Sequence, residues 1–553
     1  MQGLMQELPL NIPMIARHAA RMHPKKTVVT KTADGVRVTS YAQVIERARR
    51  LAAALQRLGV GPDDRVATFC WNHQAHLEAY IAVPCMGSIL HTLNIRLFDT
   101  DVAYIVEHAA DSVVLVDKSL WPAWQKVAAR VRCVRHTIVV DDAPGPQPPG
   151  TLDYETLVNG AEPLAEFPDV PENQAAAMCY TSGTTGSPKG VVYSHRSNVL
   201  HSYAVVMADG LGLCERDVVL PIVPMFHANA WGLPYACLMI GADLVMPGRF
   251  MTPDALTALL AERSVTWAAG VPTIWQAMLG PMKAARERLP RLRTILSGGA
   301  AVPGSLQKAY KAVFGFGITH AWGMTETSPL GSVCVPLASH ANLPPEELDQ
   351  VLASQGRVPP GVEMRIVRED GSEAPWDGQT FGEIQVRGNW IAAAYYKEDA
   401  GPDKFKDGWL RTGDVATIDA DGYIRIVDRT KDVIKSGGEW ISSVSLEGLL
   451  MGHPGVAEAS VVGVAHPRWD ERPLACVVRR KGAGDALTKE ALLDHLRPQV
   501  ARFWLPEDVV FIEEIPKTSV GKFDKKVLRQ RFKDHFAGAA PAASAAEPEA
   551  QRR

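Results

Sequence analysis

Between Tyr180 and Gly190 the chain reads Tyr-Thr-Ser-Gly-Thr-Thr-Gly-Ser-Pro-Lys-Gly, which gathers hydroxyls, glycines and one cation into a single short loop. Gly183 and Gly186 let backbone N–H groups close on phosphate oxygens without a Cβ in the way. The hydroxyls of Thr181, Ser182, Thr184 and Thr185 donate further bonds, and Lys189 offsets negative charge. Such a loop suits a nucleoside triphosphate, although its spacing does not fit the G-x-x-x-x-G-K-[ST] pattern. Composition alone would also describe a Gly/Ser-rich linker, but the apolar run directly before it argues against that. Two further junctions have the same form: the run 218–223 opens into Pro224-Met225-Phe226-His227, and the run 292–296 into Ser297-Gly298-Gly299.

These junctions need elements to hold them. Tyr41, Val44, Ile45, Ala48, Leu51, Ala52, Leu55 and Leu58 recur at helical spacing, with the capping box Ser40-x-x-Gln43 before them and Gly59 after. An apolar run at 65–70 follows, and such runs alternate with helical stretches to about residue 320. This interleaving predicts an α/β fold of largely parallel sheets covered by helices. Ligands of open α/β sheets collect at the carboxyl ends of strands, so the three junctions are where a site should form. Past Asp414 the texture changes. Runs 415–418 and 423–427 flank Asp419-Ala420-Asp421-Gly422 as a β-hairpin, and runs 459–464 and 474–479 and a helix near Lys489–Leu496 make up a compact stretch of their own. A boundary near Asp428–Arg429 is expected, giving a large domain 1–428, a small α+β domain 429–536, and an Ala- and Pro-rich tail 537–553 expected to be disordered.

Composition narrows the function. A chain of 553 residues favours at least two domains, and 58 basic against 61 acidic residues leave a net charge of −3, no footprint for nucleic acid. The eight cysteines are scattered and read as buried thiols of a reducing cytoplasm. Residues 1–13 lack a basic region followed by an apolar one, and no apolar run approaches the ~18–20 residues a membrane span requires. The segment 419–422 lacks the ligand spacing of a calcium loop, and the sixteen histidines show no metal-binding spacing.

At Thr181–Gly190 the sequence resembles the adenylate-forming superfamily of acyl-CoA synthetases, adenylation domains and firefly-type luciferases, and the match runs over nearly the whole chain. Further motifs follow in the family's order. Val223-Pro224-Met225-Phe226-His227-Ala228-Asn229-Ala230-Trp231 resembles the gate of fatty acyl-CoA synthetases, and Ala321-Trp322-Gly323-Met324-Thr325-Glu326-Thr327 the adenine and magnesium motif. Trp409-Leu410-Arg411-Thr412-Gly413-Asp414 resembles the ribose motif, Asp428-Arg429-Thr430-Lys431-Asp432 the hinge, and Pro516-Lys517-Thr518-Ser519-Val520-Gly521-Lys522 the segment of the catalytic lysine.

The resemblance implies a large domain with parallel sheets and a small β-barrel, followed by a mobile C-terminal domain. It also implies the chemistry: a carboxylic acid, ATP and coenzyme A yield acyl-CoA, AMP and pyrophosphate through an acyl-adenylate. In that pattern Lys522 bridges the acyl carboxylate and the α-phosphate, and Thr181 and Glu326 hold Mg²⁺ against the phosphates. Asp414 accepts from the ribose hydroxyls with Arg429 beside it, Gly298, Gly299 and Ala300 pass close to the adenine and acyl chain, and Ala321, Trp322, Gly323 and Thr325 belong to the adenine motif. His227 is assigned to the carboxylate and Trp231 to the gate of an apolar tunnel. Lys431 stands at the pivot, where many relatives carry Asp and fatty acyl-CoA synthetases carry Lys. Lys435, Gly437, Gly438 and Trp440 are assigned to the pantetheine and nucleotide surface. Trp322 replaces a tyrosine of many relatives, which leaves chain length open. A medium- or long-chain fatty acid is the expected substrate; a short thioether or aryl-alkyl acid, or loading of a carrier protein, is the alternative. A homodimer is implied as well.

Overall fold

The helix read from Tyr41 onward forms over Tyr41–Arg57, opened by a reciprocal capping box between Ser40 and Gln43, and buries Tyr41, Val44, Ile45, Ala48, Leu51 and Leu55. The structure is a computed structural model that describes residues 1, 3–181, 187–398, 403–436, 439–482, 484, 487–517 and 523–537, with backbone only at 439 and 440. The expected disordered tail lies outside these residues from 538 onward.

Two sheets dominate the first three-quarters of the chain. One has seven strands in the order Leu152–Asp153, His136–Val140, Asp111–Asp117, Arg65–Phe69, Ile89–Thr92, Ala175–Tyr180 and Gly190–Ser194, with only the last antiparallel. The other has eight: Leu330–Val333, Ile318–Gly323, Thr294–Ser297, Trp267–Gly270, Val218–Pro221, Asp243–Met246, Thr27–Thr32 and Gly35–Ser40, antiparallel only at its two edges. Apolar strands buried on both faces account for the near-continuous runs in the sequence. Phe69, Val114, Val116, Trp124 and Met178 fill one core, and Leu220, Val245, Trp275, Met278, Ile295 and Tyr310 the other.

A third, antiparallel sheet carries Val362–Val367, Gly382–Gly388, Trp409–Ile418 and Phe405–Lys406, with Ile424–Arg429 paired to Trp409–Ile418. This is the half-barrel counterpart of the expected β-barrel. The hairpin at Asp419–Gly422 forms, closed by Asp419 N–H donating to the Tyr423 carbonyl at 3.1 Å. The chain divides into two compact units, Met1–Thr412 with Thr417–Arg425, and Gly413–Ala416 with Ile426–Arg553. The expected boundary near Asp428 lies a few residues beyond Arg425, and the piece Gly413–Ala416 joins the second unit across an intervening stretch. That unit has a sheet of its own around Val456–His466 and Asp470–Arg479, longer than the runs read from sequence, with Lys489–Leu496 helical. All eight cysteines are free thiols; Cys133 and Cys214 are only half-buried, correcting their reading as wholly internal. Among the described residues no helix is long and apolar enough to cross a membrane.

Candidate active site

The segment read as a triphosphate loop connects the antiparallel strands Ala175–Tyr180 and Gly190–Ser194. Its neck is closed twice: Thr181 N–H donates to the Lys189 carbonyl at 2.9 Å, and Lys189 N–H donates to Thr181 Oγ1 at 3.0 Å. Ser182, Gly183, Thr184, Thr185 and Gly186 lie outside the described residues. Below the neck, a Cβ on Gly190 would sit 3.0 Å from the Tyr180 ring and 3.2 Å from Tyr396 Cβ, so a side chain there would push these neighbours back. Tyr396 N–H donates to the Gly190 carbonyl at 2.8 Å.

Glu326 occupies the short 3-10 turn Thr325–Thr327 and is buried. Tyr193 Oη donates to the Thr325 carbonyl at 2.7 Å, and Ala392 N–H to the Glu326 carbonyl at 2.8 Å, which fixes the turn from two sides. Tyr395 Oη donates to Glu326 Oε1 at 2.5 Å. Burial, reinforced by the Glu326 carboxylate, pushes the Tyr395 phenol above its ordinary range, so it stays protonated and remains a donor. Lys189 Nζ lies 4.9 Å from the centroid of the same ring and 3.5 Å from Glu398 Oε2. Lys189 and Glu326, both read from sequence, therefore meet at a residue that sequence reading missed.

A second group surrounds the segment 223–231, read from sequence as a gate. The strand Val218–Pro221 ends earlier than its apolar run, and Asn72 takes over: its Nδ2 donates to the carbonyls of Pro221 and Val223 at 2.8 Å each, and its Oδ1 accepts from Met225 N–H at 2.7 Å. Tyr80 Oη adds a bond to the Met225 carbonyl. Beyond this clamp Ala228, Asn229, Ala230 and Trp231 adopt φ of 40°, 50°, 49° and 57°, and Gly232 follows at 75°. Left-handed backbone costs about 1–2 kcal/mol per non-glycine residue, so the turn stores strain that its surroundings must hold. At Gly232 a side chain is excluded outright, because a Cβ would lie 2.5 Å from His201 Nδ1.

Trp231 is half-buried, and its indole packs on Gly298: a Cβ there would stand 3.3 Å from Trp231 Cη2 and 3.1 Å from the Ala321 carbonyl. Trp231, Gly298 and Ala321 are thus brought together. Gly299 and Ala300 lie exposed just beyond them, and His227 is half-buried with its N–H on the Pro224 carbonyl at 3.1 Å. Trp322 is buried against Gly331, where a Cβ would come within 2.4 Å of the indole. Gly323 has no room for a side chain beside the Pro329 carbonyl. Ser297, at the end of Thr294–Ser297, is fully buried with no hydrogen-bond partner for its hydroxyl among the described residues.

The remaining assignments fall in the second unit. Asp414 is buried, and Arg429 Nε reaches its Oδ1 at 2.7 Å. The neighbouring Asp428 accepts from Ser443 N–H at 2.8 Å and from the Ser443 hydroxyl. Lys525 Nζ joins this cluster through Ser443 Oγ and Glu447 Oε1, the latter at 2.9 Å. Partial desolvation, with Arg429 and Arg529 nearby, lowers the Lys431 ammonium from its usual range, and Arg529 donates to the Lys431 carbonyl at 3.2 Å. Lys435 is exposed, and its N–H donates to Glu471 Oε2 at 3.1 Å. Lys522, Gly437, Gly438 and the Trp440 side chain lie outside what the structure describes.

Known proteins share this architecture. A family model described as AMP-binding enzyme matches residues 16–396, and one described as AMP-binding enzyme C-terminal domain matches residues 445–522. A long-chain-fatty-acid–CoA ligase of Thermus thermophilus is 46% identical over 540 residues, covering 97% of this chain and 98% of that protein. A 3-methylmercaptopropionyl-CoA ligase of Ruegeria lacuscaerulensis is 44% identical over 543 residues, covering 97% and 100%. The crystal structure of the anthranilate CoA ligase AuaEII with anthranoyl-AMP superposes with a TM-score of 0.85 at 26% identity, covering 97% of this chain and all of that one.

Proposed function

The chain belongs to the AMP-binding enzymes, and from that premise we propose that it is an acyl-CoA synthetase acting on a carboxylic acid with an apolar chain. The observation that carries the reading is the convergence of Lys189 and Glu326 on Tyr395, directly beneath the neck of the loop that starts at Thr181. A cation and a buried carboxylate at the root of a phosphate-cradling loop fit a triphosphate.

A carboxylate is a poor electrophile, so it must be activated before a thiol can attack. Its oxygen bonds to the α-phosphorus of ATP as the bond to pyrophosphate breaks, which leaves a mixed anhydride with AMP. The thiol of CoA, losing its proton, then attacks the carbonyl carbon and AMP departs. Charge grows on phosphate oxygens in the first step, and cations aimed at them lower the barrier. Lys189 and Lys522 are assigned that task, Asp414 the ribose hydroxyls, and Lys431 the pivot between the two steps. Thr181 and Glu326 offer a hydroxyl and a carboxylate oxygen, donors of the kind a hard divalent cation takes, so they fit Mg²⁺. Bound there, it would neutralise phosphate charge.

Trp231 against Gly298 supports an apolar acid, since a movable indole beside a residue without a side chain can uncover a channel. A medium or long fatty acid is the leading substrate. A short thioether acid is the second reading, favoured by the 44% identity to the methylmercaptopropionyl-CoA ligase. Incubating the protein with ATP, Mg²⁺, CoA and acids of graded length, with methylmercaptopropionate among them, should release AMP and pyrophosphate. ADP as the product would overturn the reading, and the acid with the highest kcat/KM decides between the two substrate classes. A cytoplasmic homodimer completes the proposal, its mass open to light scattering and its compartment to fractionation.

A further inference from the structure

Opposite charges gathered around one half-buried side chain attract each other, and an ion pair between them would spend both on each other. Lys189 and Glu326 carry opposite charges and contact the same Tyr395 ring, yet among the described residues the ion pair of Lys189 is with Glu398 and none joins it to Glu326. We propose that Tyr395 is a positioning residue that keeps the two charges apart and aims each at bound ATP and its Mg²⁺; the inference rests on the ATP-dependent reading above. One ring serves both: the hydroxyl takes Glu326 Oε1 at 2.5 Å, and the face lies 4.9 Å from the Lys189 ammonium. A carboxylate with one oxygen tied to a hydroxyl has its plane set before any cation arrives, as partners of metal-binding groups generally do.

Tyr395 is itself held in place. Its ring meets Phe405 edge-on at 5.2 Å, and its backbone bridges to Glu398, the residue that also answers Lys189. On either side, Ala392 N–H bonds the Glu326 carbonyl and Tyr396 N–H bonds the Gly190 carbonyl, each at 2.8 Å. Residues 392–396 therefore strap the loop neck to the Glu326 turn, with Tyr395 at the centre.

The test separates the hydroxyl from the ring. Equilibrium binding of ATP is measured with and without Mg²⁺ for the unsubstituted enzyme, Tyr395→Phe and Tyr395→Leu, alongside thermal unfolding. Tyr395→Phe keeps the face for Lys189, so its Mg²⁺-free affinity should stay within about twofold while the Mg²⁺ needed to tighten ATP rises about tenfold. Tyr395→Leu should lose Mg²⁺-free affinity as well. A Tyr395→Phe protein with the original Mg²⁺ dependence overturns the inference, as does equal loss of both affinities in the two variants, which marks a merely structural tyrosine. Absence of ATP binding by the unsubstituted enzyme overturns the ligase reading instead, and is read from that sample alone.

Discussion

In the proposed reading, single side chains decide how the acid is received. Gly298 leaves a gap that the Trp231 indole fills, so Gly298→Ala must push the ring or the Ala321 carbonyl away. We expect kcat/KM for the longest acids to fall about tenfold more than for the shortest, since the pocket is read by differences of single methylenes. Equal losses across a graded series of acids would place the indole outside the acyl path. Sequence made Gly298 and Trp231 legible by pattern, but not their contact. Tyr395 was not legible at all: its bond to Glu326 spans 69 residues, and no local spacing announces it.

At the scale of elements, what could be read was what neighbours in sequence dictate. The capping box at Ser40 and Gln43, the strand Ala175–Tyr180 and the helix Lys489–Leu496 depend on residues a few positions apart, and all three form as expected. The end of Val218–Pro221 was misjudged because its continuation is held by Asn72, 153 residues away from Met225. That clamp lies just upstream of the strained turn at Ala228–Trp231. Asn72→Ala removes three buried hydrogen bonds, from the Pro221 and Val223 carbonyls and the Met225 N–H, so it should lower stability by about 3 kcal/mol. Denaturant unfolding checks the loss, and a variant as stable as the original would show that the segment is held elsewhere.

For the whole molecule, acid is the expected weakness. Burial pushes His201 down to about 3, as it does His76 with help from neighbouring His73, while burial holds His195 and His320 near about 4. All four are neutral when folded and would take up protons near 6.5 when unfolded. Their contribution is complete above pH 6.5 and is lost progressively as pH falls toward 4, at about 1.4 kcal/mol per histidine per pH unit within that window. Melting temperatures should be flat from pH 8 to 7 and drop steeply from 6.5 to 4.5. A flat profile through pH 5 would show that these rings are hydrated.

The assignment of Gly413–Ala416 to the second unit bears on how such enzymes can be recombined. A chimera joined once, at Arg425, would inherit Arg429 from one parent and Asp414 from the other, and their 2.7 Å contact would then depend on two lineages agreeing. Splicing that respects the molecule requires three crossovers, so that four residues in the middle of one strand travel with a partner that begins ten positions later.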